Sequence, residues 1–476
     1  MSSFSALLEE VPPYDAYPRV EALHNAARWL AEQYPDHCAL SEIGRSRQGT
    51  PILSLRVGDG PFQALVVGLP HPDEPIGSLM ISFLAKRLLD DPEWRRDMSF
   101  TWHFVWAADP DGARLNEEWY HGPFDPGFVG RHYYRPVERD QFEWSFPLDY
   151  KLVSFTTPNP ESAAVMRLID GTPIDYLANL HNCTVGGAYL YLSHPAADLH
   201  APFYEMLARA RIPPHRGAPE VPYLMSFDGD AVFRAYGSRD VYDFYERVGH
   251  PDPGRFVTAG TCCDEYAIAK WDAFTLVCEL PYFVHPDVAV RERAGGTRRA
   301  LLADAWRRES EAVAWVEDFW KRCDARVSDN PFGRVLREYV GGYRQHREAE
   351  LADAQATPAT VAEEADVRVM RGYDHLFVLG QTARALAWEL GVRPVGWQGG
   401  DPPRAGCEGL LAEANARYDA LLASVQALSP IVTPTPGVLA RGMLEMVLHG
   451  AVHARDKHRG GRPRGAQIAS GKGWTA

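Results

Sequence analysis

Apolar and polar positions follow two periods along this chain. From about residue 20 to residue 285, short apolar runs with β propensity alternate with stretches that carry apolar residues at helical spacing. That is the alternation an α/β sheet requires. Three of the short runs end on residues that can do chemistry. Phe62-Gln-Ala-Leu-Val-Val leads into Gly-Leu-Pro-His71-Pro-Asp-Glu74, Ile174-Asp-Tyr-Leu-Ala-Asn-Leu ends at His181, and Phe274-Thr-Leu-Val-Cys ends at Glu279. In open α/β sheets, sites gather at the carboxyl ends of strands.

Beyond Asn330 the period becomes helical. Residues 332–351, 362–391 and 405–428 predict helices, separated by Ala356-Thr-Pro-Ala-Thr and a Gly- and Pro-rich stretch from Val395. The pattern divides the chain into an α/β domain over 1–329, a helical appendage over 330–450 and a basic tail over 451–476. The appendage packs on the first domain, caps its cleft or mediates oligomers; its pattern does not choose among these. The tail is expected to be disordered, being rich in charge and glycine and poor in apolar residues.

Composition narrows the function classes. The 476 residues are 46% apolar, as in an ordinary globular protein, and can bury a large core. With 49 basic and 63 acidic residues the net charge is −14, which disfavours nonspecific binding to nucleic acid or anionic membrane. No apolar run reaches the ~18 residues a membrane span needs, and the first residues lack the pattern of a secretory signal. Seven scattered cysteines without a CxxC suit reduced thiols, so a cytoplasmic location is expected.

The candidate chemistry is that of a metal. In His71-Pro-Asp-Glu74 an imidazole and a carboxylate three residues apart can reach one zinc ion from the same side of a turn. Alone, such a pair is equally a solvated surface turn. His181 is a candidate third ligand, or a half-buried histidine bonded to a carbonyl. Glu279 interrupts an apolar strand, where an unpaired carboxylate costs several kcal/mol unless it is paired or serves a site. It is a salt-bridged strand end or a general base.

With these residues in place, the chain resembles the zinc carboxypeptidase family (M14-type metallocarboxypeptidases) over roughly residues 10–325. The resemblance is carried by Tyr14-Asp-Ala-Tyr17, the helix from Leu23 to Pro35, Ile43-Gly-Arg-Ser-Arg-Gln-Gly-Thr-Pro-Ile52, His71-Pro-Asp-Glu74, Asp109-Pro-Asp-Gly112, His181 and Thr275-Leu-Val-Cys-Glu279. It implies an α/β/α sandwich with a mixed central sheet, extended here by C-terminal helices. It also implies one zinc per chain on His71, Glu74 and His181, with Glu279 as base and then acid. An arginine stabilises the oxyanion, and Arg114 is the candidate. Residues 298–325 match the family's last helix, which packs on the sheet.

One departure bears on the substrate. Exopeptidases of this family carry an Asn-Arg pair that grips the terminal carboxylate, and no Asn-Arg dipeptide exists here. Arg131 or Arg135 replaces that clamp, or both are structural. Fifteen positions before Glu279 stands Asp264, where the family's basic-residue enzymes place an acid, so Asp264 either selects a cationic group or is a solvated loop acid. The resemblance therefore implies a zinc hydrolase that cuts a peptide or amide bond near a carboxyl terminus, with a peptide or small amide as its partner. The alternatives are a zinc amidase or deacylase of a small acylated amino acid or cell-wall-type peptide, and an inactive binding scaffold.

Overall fold

The computed structural model describes residues 4–217, 220–394, 397, 406–427 and 431–459. Its centre is a mixed sheet of eight strands: β1 (Cys38–Arg45), β2 (Pro51–Val57), β3 (Phe62–Val67), β4 (Phe100–Val105), β5 (Tyr176–Asn179), β6 (Tyr189–Leu192), β7 (Val232–Arg234) and β8 (Phe274–Glu279). They lie side by side in the order β1-β2-β4-β3-β5-β8-β6-β7. The four middle strands β4, β3, β5 and β8 are mutually parallel. Their carboxyl ends therefore share one edge, and that edge carries the chemistry.

Strands β4 and β8 are buried at every position, as strands covered on both faces are. Successive side chains still alternate between two cores. Ala64 and Val66 join Trp102, Phe104, Tyr176 and Leu276 on one face. Leu65 and Val67 join Val105, Leu177 and Ile169 on the other. The first face is covered by helices α1 (Val20–Gln33), α2 (Ile76–Asp90), α6 (His200–Ala210) and α12 (Pro436–Arg459). The second is covered by α5 (Pro160–Gly171) and α7 (Cys263–Trp271). Two short helices, α3 (Pro110–Asn116) and α4 (Pro126–His132), lie between β4 and β5 in the chain.

Four longer helices follow the sheet in the chain: α8 (Arg298–Cys323), α9 (Pro331–Asp353), α10 (Arg371–Glu389) and α11 (Glu408–Gln426). Here the structure differs from the expectation that residues 298–325 pack on the sheet. Phe319, Trp320 and Cys323 of α8 pack instead with Phe332, Leu336 and Leu386 of α9 and α10. The sheet face goes to α12, whose Leu439, Met443, Leu444, Val447 and Ala451 are fully buried. A helix pressed between a sheet and two other helices must be apolar nearly all round. The α8 sequence, with Asp304, Arg307, Arg308, Glu311 and Asp318, is not. Tyr176 Oη donates to Val447 O at 2.9 Å, and a Cβ on Gly450 would lie 2.6 Å from that phenol oxygen. Only a glycine lets α12 come so close.

The helices beyond Asn330 also brace the segment after α4. Arg384 of α10 donates to the carbonyls of His132, Tyr133 and Leu115. Phe377 stacks on Tyr133 with ring centroids 4.6 Å apart. Of the expected basic tail, residues 451–459 continue α12, and residues 460–476 lie outside the described residues. Among the described residues, no helix is long and apolar enough to cross a membrane. Cys38, Cys183, Cys262, Cys263, Cys278 and Cys323 form no disulfide.

Candidate metal centre

The site begins where β3 ends. Gly68 crosses under the neighbouring strand end so closely that a Cβ would lie 2.7 Å from Trp106 O. Leu69 then takes a φ of 49°, a left-handed conformation that costs a non-glycine residue of order 1 kcal/mol or more and persists only under tertiary support. The support is visible. Tyr120 Oη donates to Pro72 O at 2.6 Å and Tyr282 Oη to Asp73 O at 3.1 Å. Glu74 N–H closes the turn on His71 O at 3.1 Å, which sets both side chains on one side.

The third donor comes from the adjacent strand. His181 follows β5, directly beside β3 in the sheet, so the two strand ends deliver their histidines to one place. The rings of His71 and His181 are 4.9 Å apart, and the donor atoms of His71, Glu74 and His181 all lie within 4.8 Å of one another. His71 Nδ1 is buried without a hydrogen-bond partner. Burial, then Arg135 and His181, hold this imidazole well below its ordinary pKa, in the neutral form that ligates. Burial would also depress His181, but Glu74, with Oε2 3.0 Å from Nδ1, and Glu143 raise it well above the ordinary value. An orphaned imidazole nitrogen, a second imidazole and a carboxylate on one side fit zinc.

Glu279, at the end of β8, lines the same cavity of about 340 Å³ as the three donors. Its Oε2 is buried and has no partner. Burial, then the neighbouring Glu74 carboxylate, push it well above the ordinary carboxyl range.

The three arginines go to different places. Arg114, on α3, does not line the cavity; its guanidinium donates to Thr50 Oγ1 at 2.6 Å, and that hydroxyl donates to Asp111. Arg131 is also outside the cavity lining, paired with Asp419 and lying 4.2 Å over the Tyr418 ring of α11. Both side chains meet a partner from a distant part of the chain that no local pattern reveals. Arg135 alone faces the cavity, with Nη1 2.8 Å from Glu74 Oε1 and 3.2 Å from Asp73 Oδ2. Asp264 is no solvated loop acid. It is 4% exposed, at the start of α7, and lines the cavity. Burial, then Glu143, raise its pKa to about 6.

Several cavity residues escaped the sequence reading. Glu143 accepts from Asn179 Nδ2 at 2.9 Å and Cys263 N–H at 3.2 Å, and lies 3.6 Å from His181 Nε2. Glu220 accepts from Tyr191 Oη at 2.6 Å. Neither stands at the end of an apolar run, the one signal that exposed His181 and Glu279.

The structure is that of an α/β protein with a histidine–glutamate–histidine cluster at the carboxyl edge of a mixed sheet that could hold a metal ion. Residues 23–216 match the family model described as zinc carboxypeptidase. The match includes all three donors and ends before Glu279. The chain is 26% identical over 194 residues to carboxypeptidase D of Drosophila melanogaster, covering 37% of this chain and 13% of that protein. It is 25% identical over 122 residues to carboxypeptidase B of Helicoverpa zea, covering 24% and 28% respectively. It thus spans between about an eighth and somewhat over a quarter of the length of these relatives. The crystal structure of carboxypeptidase A from Helicoverpa armigera aligns with a TM-score of 0.37 and 16% identity, over 56% of this chain and 65% of that one.

Proposed function

We propose that the chain is a zinc-dependent hydrolase of peptide or amide bonds near a carboxyl terminus, with His71, Glu74 and His181 as the metal ligands. The observation that carries this reading is Glu279. Its buried carboxyl oxygen has no partner and faces the cavity the three donors share. A purely structural carboxylate would be paired.

Zinc held by these donors supplies Lewis-acid polarisation of a carbonyl and acidifies a water. Glu279 takes the proton from the attacking water and passes it to the departing amine nitrogen. Arg135 is the guanidinium in the cavity and supports the charge that develops on the carbonyl oxygen, the task expected of Arg114. Tyr133 donates to Asp73 at 2.9 Å, which leaves Arg135 braced against a carboxylate already held in place.

A second reading, an amidase of a small acylated amino acid or cell-wall-type peptide, is favoured by one observation. Both candidate clamp arginines are engaged elsewhere, Arg131 with α11 and Arg135 with Asp73 and Glu74.

The experiment is a zinc assay on wild type and Glu279→Gln, with release of amine from a panel of peptides and small amides. Zinc near one per chain in both, with turnover lowered at least ~10²-fold in the variant, is the expected result. Undiminished turnover in Glu279→Gln removes the base assignment, and absence of turnover on every substrate removes the hydrolase reading.

A further inference from the structure

The segment that carries Arg135 to the cavity is held from one face of a single helix. On α10, Phe377, Gln381 and Arg384 are spaced four and then three residues apart, which sets them on the same side. All three meet residues 132–135. Phe377 stacks on the Tyr133 ring at 4.6 Å, and Gln381 Oε1 accepts from Arg135 N–H at 3.4 Å. Arg384 Nη1 donates to His132 O and, at 3.1 Å, to Tyr133 O. Its Nη2 reaches Leu115 O, in the last turn of α3, at 2.7 Å. Gly380, on the same face, lets the two backbones touch: a Cβ there would lie 1.9 Å from Gly130 O.

Stability alone is a poor account of Arg384. Its guanidinium is half-buried, and among the described residues it donates to main-chain carbonyls rather than to a carboxylate. Burial lowers its pKa to about 10, so it stays charged at neutral pH. A charge taken from water without a counter-ion is expensive. What the rigid fork supplies is geometry, because it ties the chain at residues 132 and 133 to the end of α3. The contacts then run on to the metal donors. Tyr133 Oη donates to Asp73 Oδ2 at 2.9 Å. Arg135 Nη1 lies 3.2 Å from that same oxygen and 2.8 Å from Glu74 Oε1.

We infer that Arg384 is a positioning residue for the metal site: from the helices beyond Asn330 it holds the Tyr133–Arg135 segment so that Arg135 stays against Glu74 and aimed into the cavity. The inference rests on the reading of Arg135 as the guanidinium that supports the carbonyl oxygen. It extends that site to α10, outside the segment that matches the family model.

The test is a double-mutant cycle on the full-length, zinc-loaded protein: wild type, Arg384→Ala, Arg135→Ala and the double variant. Two quantities are read below the unfolding temperature of all four. One is kcat on the peptide or amide of the panel that wild type cleaves fastest. The other is the rate of zinc loss to the chelator 4-(2-pyridylazo)resorcinol. With Arg135 present, Arg384→Ala should lower kcat by ~10–100-fold and speed zinc loss by ~10-fold. With Arg135 already alanine, it should change neither by more than ~2-fold. A merely structural Arg384 would lower the unfolding temperature and leave both rates alone, or would cost the same factor in both backgrounds. Either result would overturn the inference. If Arg384→Ala does not fold, Arg384→Lys, which keeps the charge and loses the fork, replaces it in the same cycle. A wild type that cleaves no substrate discards the hydrolase reading. The zinc-loss cycle then decides alone: coupled rates keep the positioning role, and additive rates remove it.

Discussion

Arg135 Nη1 lies 2.8 Å from Glu74 Oε1, so the one guanidinium among the described residues that faces the cavity is tied to a carboxylate of the metal-donor set. Opposite charges in a low-dielectric setting hold each other in position. The same contact that orients Glu74 also aims Arg135.

Arg135→Lys keeps a positive charge beside Asp73 and Glu74 but loses the planar fork. Zinc content should stay near one per chain, and kcat should fall by ~10–100-fold. Arg135→Ala should lose ~10²–10³-fold, the usual effect of removing an oxyanion donor. Steady-state kinetics with a zinc assay checks both; a rise in KM alone, confined to free-acid substrates, would instead make Arg135 a carboxylate clamp.

Removing His71 tests the ligand set. His71→Ala should retain little zinc after dialysis. Because a ligand present at 1,000 times its Kd adds ~4 kcal/mol to the folded state, wild type should lose thermal stability on chelation. The variant should not. Full zinc stoichiometry in His71→Ala would refute the site.

Arg131→Ala should affect packing and leave the chemistry alone, since the side chain pairs with Asp419 and covers Tyr418. A half-exposed ion pair and one cation–π contact together contribute about 1 kcal/mol. Denaturant unfolding should show that loss, while kcat/KM on free-acid and amidated substrates stays within ~2-fold of wild type. A selective loss on free acids would return Arg131 to the substrate site.

Asp109 caps α3 by accepting from Gly112 N–H at 2.8 Å, and burial, then Glu161, push its pKa up to about 8. A folded-state pKa raised above the unfolded value of ~3.9 means the folded chain holds the proton more tightly. This group's contribution is therefore full below about pH 4 and is lost as pH rises towards 8. Asparagine caps a helix as well as aspartate does and carries no charge. Asp109→Asn should gain stability relative to wild type progressively between those values, by up to a few kcal/mol. A variant whose unfolding free energy parallels wild type over that range would show that Asp109 is ionised throughout.

Gly450→Ala sets propensity against packing. Alanine favours an α-helix over glycine by ~1 kcal/mol. At Gly450, however, the new Cβ would lie 2.6 Å from Tyr176 Oη and 2.8 Å from Leu276 Cδ1. Overpacking of this kind costs ~1–3 kcal/mol, so a net loss is expected in denaturant unfolding. A more stable variant would mean that α12 does not seat on the sheet this closely.

Much of the fold was legible from local pattern. The apolar runs ending at His71, His181 and Glu279 are strands whose carboxyl ends meet, because a parallel sheet aligns its strand ends whatever lies between them in the chain. The pairing of His71 with Glu74 was legible because the two stand three residues apart in one turn, although Tyr120 and Tyr282 hold that turn from distant parts of the chain.

What local pattern could not reveal is every relationship made by distant partners. The arginines were read by their distance along the chain from Asp109-Pro-Asp-Gly112. Their true partners, Thr50 for Arg114 and Asp419 for Arg131, lie far away in the chain. Nor does helical spacing distinguish a helix that covers a sheet from one that packs on other helices, which is why α8 was expected on the sheet face that α12 covers. The convergence of Glu143 and Asp264 on Asn179 joins three separate segments. Periodicity reports which side of its own element a residue occupies. Which charge it meets there depends on how the elements close on one another, and only the tertiary structure decides that.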